Sequence, residues 1–217
     1  MSSNCILDIR NLAYTYPSGE VIFKNLNLQI NKGEFVILLG KNGSGKSTLV
    51  NLLLGLRHPL DGSVSVLGLS PYNNKRHELF KSLFLNSHDL TFDENSRVGY
   101  ILDNYKILYP NYNSQREEEL LIKFGLDRDK YVYELSTGMK ARIQFIAAIS
   151  SEVEFILMDE ITAVLDRAAR KLLGEELAKE CKRGRSVLMA TNIPEDTTFN
   201  SNRVVMIQDM ELCDEAA

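Results

Sequence analysis

The chain has 217 residues, 44% hydrophobic and 25% charged, the composition of an ordinary globular protein that builds one sizeable core without staples. Its formal charge is −4 with no block of basic residues, which argues against nucleic acid as a partner. Cys5, Cys181 and Cys213 are odd in number and scattered, which excludes a disulfide framework or paired-cysteine zinc site, and neither a leader pattern nor an apolar run of ~18 residues is present, so a cytosolic chain with free thiols is expected.

Cys5-Ile6-Leu7-Asp8-Ile9-Arg10 alternates loosely, and Val21 to Ile30 alternates better, with Ile22, Leu26, Leu28 and Ile30 apolar. Pro17-Ser18-Gly19 supplies turn residues between them, so the pair reads as an antiparallel hairpin. Tyr14 and Tyr16 close the first strand; an aromatic there either packs in the sheet or stacks on a base.

Phe35 to Leu39 is an apolar run of buried-strand type, and Ser47 to Leu56 carries Leu49, Val50, Leu52 and Leu53 at helical spacing. Between them, Gly40-Lys41-Asn42-Gly43-Ser44-Gly45-Lys46-Ser47 fills every fixed position of the pattern G-x-x-x-x-G-K-[ST]. Its glycines let several backbone N–H groups turn inward around an anion, and the helix start adds the positive end of its dipole. The loop is expected to cradle phosphates, with Lys46 reaching the β- and γ-phosphates and the Ser47 hydroxyl on Mg²⁺.

Gly55, Pro59, Asp61 and Gly62 then break the pattern, and Ser63 to Leu67 and Ser82 to Leu85 are candidate strands. Asn86 to Asn95 is polar and loop-like. Arg97 to Tyr109 has helical spacing, and Ser114 with Glu117 predicts a capping box for a helix running to about Phe124. A helical block is therefore inserted into an α/β protein. Leu135-Ser136-Thr137-Gly138-Met139 precedes a helix carrying Ile143, Ile146, Ala147 and Ser150 on one face, and Ser136 and Gly138 at its start suggest a second anion site.

Phe155-Ile156-Leu157-Met158 is apolar on both faces, as a central parallel strand is, and ends at Asp159-Glu160. A carboxylate at that strand end suits the Mg²⁺ shell, and the next one suits polarising a water. Arg167 to Cys181 reads as an amphipathic helix with a Glu175 to Lys179 pair. Ser186 to Ala190 and Arg203 to Ile207 are the last strands.

In order and spacing these pieces resemble the ATP-binding subunits of ABC transporters, from about Leu7 to Ile207. In that light Gly40 to Ser47 looks like the Walker A loop, Phe155 to Asp159 like the Walker B strand, and Glu160 like the catalytic glutamate. Leu135 to Met139 is similar to the signature, usually Leu-Ser-Gly-Gly-Gln, and Val164-Leu165-Asp166 to the D-loop, usually Ala-Leu-Asp. Tyr16 falls where the family stacks an aromatic on adenine, which turns the reading of that residue toward the base.

The resemblance implies an α/β fold: a P-loop NTPase core with a parallel sheet, an N-terminal antiparallel β subdomain and a helical subdomain at about residues 86–150. It implies ATP and Mg²⁺ as ligands. Gly40, Asn42, Gly43, Ser44, Gly45, Lys46, Ser47 and Thr48 would hold the phosphates, Ser47 and Asp159 the metal, and Glu160 and Lys46 would serve catalysis. Ser136 and Gly138 would complete the site of a second ATP-binding subunit in a homo- or heterodimer, and a separate transmembrane subunit would anchor the pair on the cytoplasmic face of the membrane.

The departures from the family pattern are two polar positions and, in the signature, Thr137 for Gly and Met139 for Gln. Where the family has Gln at the loop facing the membrane subunit, Asn86 is the better match and His88 the other, and Asn86 is one methylene shorter as a metal ligand. Where the family has His after a strand and a Thr, the chain reads Ala190-Thr191-Asn192. Asn192 can hydrogen-bond a γ-phosphate but cannot carry the charge of an imidazole, which implies reduced hydrolysis. The Ser136 to Met139 version of the signature resembles that of exporters of polysaccharide, lipid or peptide. Two rival readings follow: a degenerate nucleotide-binding half in a heterodimer, and an ATPase of the wider family acting away from transport.

Overall fold

In a computed structural model of the chain, residues 4–74, 76–87, 91–208 and 210–214 are described. β1 (Cys5–Thr15) and β2 (Val21–Asn31) form the expected antiparallel hairpin, and β4 (Asp61–Val66) adds to the other edge of β1. β1 runs to Thr15, beside the tyrosines expected to close it, and breaks register with β2 at Asn11, whose φ is 49°. Beyond it Leu12 and Tyr14 are buried again.

The second sheet runs β5 (Leu83–Ser87), β6 (Phe155–Asp159), β7 (Ser186–Thr191), β3 (Phe35–Leu39), β8 (Arg203–Gln208), β9 (Glu211–Asp214). Its first five strands are parallel and β9 is antiparallel to β8. Alternation along these strands feeds two cores. Phe35, Ile37, Phe84, Ile156, Met158, Val187 and Met189 face one side, where α3 (Val98–Leu108), α4 (Ser114–Phe124), α5 (Thr137–Ser150) and α6 (Arg167–Lys182) cover them. Val36, Leu38, Leu83, Phe155, Leu157, Leu188 and Ala190 face the other, packed on α1 (Lys46–Leu53) and the three-stranded sheet. A sheet covered on both faces accounts for the unbroken apolar runs of β3 and β6. α2 (Arg76–Leu79) is a single turn.

Three local details differ from the pattern in the sequence. α4 is capped by Asn113, whose side chain accepts from Arg116 N at 3.0 Å, rather than by Ser114. Glu117 does not close a capping box; it is buried, accepts from Tyr112 Oη at 2.6 Å and pairs with Arg128. Lys179 pairs with Glu176 at 2.8 Å instead of Glu175, because Glu176 faces α4. Arg116 reaches Glu176 and Glu180, and Lys123 reaches Glu176 at 2.5 Å, joining α4 to α6.

The parallel order puts the ends of β3, β6 and β7 side by side at one edge of the sheet. The loop of residues 40–47 leaves β3, Glu160 follows β6 and Asn192 follows β7, so the edge that gathers ligands in open α/β sheets carries the predicted site. The three thiols are free, as expected, and burial pushes that of Cys181 up to about 12.

Candidate nucleotide site

The loop after β3 turns back on itself before α1 begins. A Cβ on Gly40 would run into Ser44 Oγ and force that hydroxyl to move. Gly45 takes a φ of 101° as the cap of α1, and a Cβ on it would lie 2.7 Å from Ile22 Cγ2 and 2.9 Å from the Phe23 ring. The glycines of the motif thus serve a left-handed turn packed directly on β2. Gly40 N donates to Thr191 O at 3.1 Å, which ties the loop to the end of β7.

Lys46, 3% exposed, sends its ammonium inward. It donates to Gly40 O at 2.8 Å and Lys41 O at 2.9 Å and pairs with Glu160 Oε1 at 3.0 Å. An ammonium has three donors, and this arrangement uses all of them. Ser47 Oγ donates to Asp159 Oδ1 at 3.2 Å. A hydroxyl and a carboxylate beside a phosphate-type loop are the hard oxygen donors that suit Mg²⁺, which takes one or two protein oxygens and completes its shell with phosphate and water. Among the described residues no group of three or more His, Cys, Asp or Glu side chains could hold a metal without such help.

Glu160 follows the buried Asp159 at a φ of 53°, a left-handed backbone conformation uncommon outside glycine. Its N–H donates to Ala190 O at 3.0 Å. Asn192 lies across the same edge, and its Nδ2 donates to Asn42 Oδ1 at 2.6 Å. The structure therefore brings Lys46, Ser47, Asp159 and Glu160 together, and links Asn192 to the loop tip.

Tyr16 stands over the start of α1, where its hydroxyl and Thr48 Oγ1 share a hydrogen bond of 2.6 Å. The Tyr14 ring meets it edge-on at 5.3 Å, and the Arg57 guanidinium lies 4.8 Å from its centroid while donating to Tyr14 Oη. One face of Tyr16 thus carries a cation. Arg57 carried no motif in the sequence and was missed there. Tyr16, Glu20, Ile22, Gly43, Gly45, Lys46, Ser47, Thr48 and Glu160 line a cleft of about 210 Å³. That is below the ~300–1,000 Å³ of enclosed small-molecule pockets, so the cleft alone covers part of a nucleotide.

Two groups of predicted residues lie elsewhere. Asn86 falls within β5 rather than in a loop, paired in register with Met158, while Ser87 pairs with Asp159. By alternation Ser87 shares the face of Asp159, and Asn86 turns to the opposite face with Phe84, Ile156 and Met158. The structure does not bring Asn86 to the metal ligands, and its alternative His88 lies outside the described residues.

Ser136 caps α5 by accepting from Met139 N at 3.2 Å and is exposed, with no part in lining the cleft. Gly138 packs on the turn after Glu160, where a Cβ would lie 2.8 Å from Val164 O. Asp166, which caps α6 through Ala169 N at 2.8 Å, also pairs with Arg142 of α5 at 2.7 Å. The bond from the Ala169 N–H, with the nearby Arg142 charge, holds its carboxyl below the usual range.

Known proteins resemble this chain along most of its length. The family described as ABC transporter matches residues 23–163. The energy-coupling factor transporter ATP-binding protein EcfA1 of Fusobacterium nucleatum is 29% identical, over 95% of this chain and 80% of its own length. The macrolide export ATP-binding/permease protein MacB of Photorhabdus laumondii is 32% identical over 95% of this chain, which spans 34% of that longer protein. A solved structure described as an ATP binding subunit of an ABC transporter superposes with a TM-score of 0.85, covering 97% of this chain and 90% of the other at 21% identity, and so shares the fold. The chain belongs to the ABC transporter family, as one of its ATP-binding subunits.

Proposed function

We propose that the chain binds ATP in the cleft between the residue 40–47 loop and Glu160, hydrolyses it, and thereby drives a transmembrane subunit that is a separate polypeptide. The observation that carries the reading is the convergence of Lys46, Ser47, Asp159 and Glu160 from the ends of β3 and β6, two strands with β7 between them. No helix among the described residues is long and apolar enough to cross a membrane, so these elements supply no channel of their own.

Phosphate oxygens entering the loop would replace Glu160 as the third partner of Lys46. That exchange frees the Glu160 carboxylate to orient or deprotonate a water. Ser47 and Asp159 would hold Mg²⁺, which neutralises charge on the β- and γ-phosphates. The exposed face of Tyr16 would take the adenine, with Arg57 behind it. Asn192 offers an amide donor to the γ-phosphate in place of an imidazole, at the cost of its bond to Asn42.

The small cleft, and an exposed Ser136 that lines no part of it, support a head-to-tail dimer in which the α5 start of one chain covers the nucleotide of the other. The Ser136 to Met139 version of the signature favours export as the direction of transport. A second reading, a weakly hydrolysing half of a heterodimer, is favoured by the neutral Asn192. Sedimentation of Glu160→Gln with MgATP tests the dimer: a nucleotide-dependent doubling of mass is expected, and a species that stays monomeric at every concentration would reject self-pairing.

A further inference from the structure

Asp196, 1% exposed, lies on the tight turn Pro194–Thr198 and does not line the cleft. Its Oδ2 accepts from Thr162 Oγ1 and from Thr191 Oγ1, both at 2.6 Å. Thr191 Oγ1 in turn accepts from Ile193 N at 3.0 Å. Thr162 comes two residues after Glu160, and Thr191 immediately before Asn192. The nearest cation, Arg170 Nη1, is 4.0 Å from Oδ1, which has no hydrogen-bond partner among the described residues.

Burying a carboxylate costs several kcal/mol unless bonds compensate it. As packing for two threonines alone this is an expensive choice. Glu160 is also in a costly conformation: a non-glycine residue at positive φ stores ~1–3 kcal/mol and persists only where its surroundings over-determine it. Glu160 is held by its own N–H on Ala190 O and by Lys46 on its carboxylate, and the turn Ile161–Val164 that follows it is anchored by Thr162 on Asp196.

We infer that Asp196 is the positioning residue that ties the Glu160 turn to the Asn192 loop, so that the two groups facing a γ-phosphate are held as one unit. The inference rests on the reading of Glu160 as the group that acts on water. Through Thr162 the carboxylate fixes the left-handed turn of Glu160, and through Thr191 it fixes the backbone that presents Asn192. A rigid pair costs no reorganisation during reaction, which is where preorganised polar groups act.

Thr162→Val, which keeps the shape and removes one hydroxyl, provides the test beside Asp196→Ala and Asp196→Asn. The asparagine keeps one oxygen able to accept from both threonines. Thr162→Val and Asp196→Ala are expected to lower kcat about tenfold with KM and ATP affinity within about twofold, and Asp196→Asn to restore most of the rate. Deuterium exchange is expected to rise together in segments 160–165 and 191–199 of Asp196→Ala and to stay near the native level in Asp196→Asn. Unchanged kcat in both disruptive variants, a parallel loss of affinity and rate, or exchange confined to the Pro194–Thr198 turn would overturn the inference. If the native chain turns over no ATP, the hydrolysis reading fails by itself, and the exchange pattern still decides the tether.

Discussion

Asn86 separates a reading by motif from a reading by geometry. Asn86 is 0% exposed, on the face of β5 opposite Asp159, and neither Oδ1 nor Nδ2 has a hydrogen-bond partner among the described residues. Leaving a buried amide unpaired costs about 1–3 kcal/mol. Leucine has the same branching and the same number of heavy atoms, so Asn86→Leu removes that penalty among Phe84, Ile156 and Met158, while its bulkier methyl groups return part of the gain as crowding. The expected net effect is stabilisation by about 1 kcal/mol, or roughly 2–4 °C in Tm for a chain of this size. Urea unfolding measures the first effect, and a Mg²⁺ titration of ATP turnover the second; the titration midpoint should not move. Destabilisation beyond about 2 kcal/mol, or a demand for much more Mg²⁺, would refute the placement and restore Asn86 as a metal-side residue.

Gly138 is at the start of a helix, where Gly→Ala ordinarily stabilises by up to about 1 kcal/mol. Here the added Cβ would sit 2.8 Å from Val164 O, so Gly138→Ala should instead destabilise by about 1–2 kcal/mol in urea, and a gain in stability would show that α5 and the turn are not in contact. Glu176 gives a pH prediction. Burial alone would raise its pKa, but Lys123, Lys179 and Arg116 bring it down to about 2 from an ordinary 4.5. A lowered carboxylate stabilises fully above its unfolded value, so up to roughly 3 kcal/mol should be lost as pH falls from about 5 through 2. Glu176→Gln should flatten that part of the stability profile, and parallel profiles for the two proteins would contradict the coupling of α4 to α6.

Local pattern made much of this molecule legible. The residue 40–47 loop, β6 with its terminal carboxylates, and most helices are set by short-range chemistry: a glycine-rich turn, an apolar run, helical spacing. The polar stretch that begins at Asn86 hides the last two residues of β5, and in a strand one residue decides the face. The α4 cap shifted for a similar reason, since Asn113 and Ser114 are both good caps and the tertiary demand on Glu117 by Tyr112 and Arg128 decided between them. The Lys46–Glu160 pair, Arg57 over Tyr16 and the bonds of Asp196 to Thr162 and Thr191 join residues far apart in sequence. Only the strand order β6-β7-β3 puts the first and last of these groups at one edge.

ATP turnover by the purified chain across a range of protein concentrations, beside Glu160→Gln and Asn192→His, tests the central claim most directly. The account predicts a specific activity that rises with protein concentration and is lost in Glu160→Gln. Tight ATP binding with no turnover at any concentration, rescued by Asn192→His or only by another chain, would contradict it and leave this chain as the non-hydrolysing half of a heterodimer.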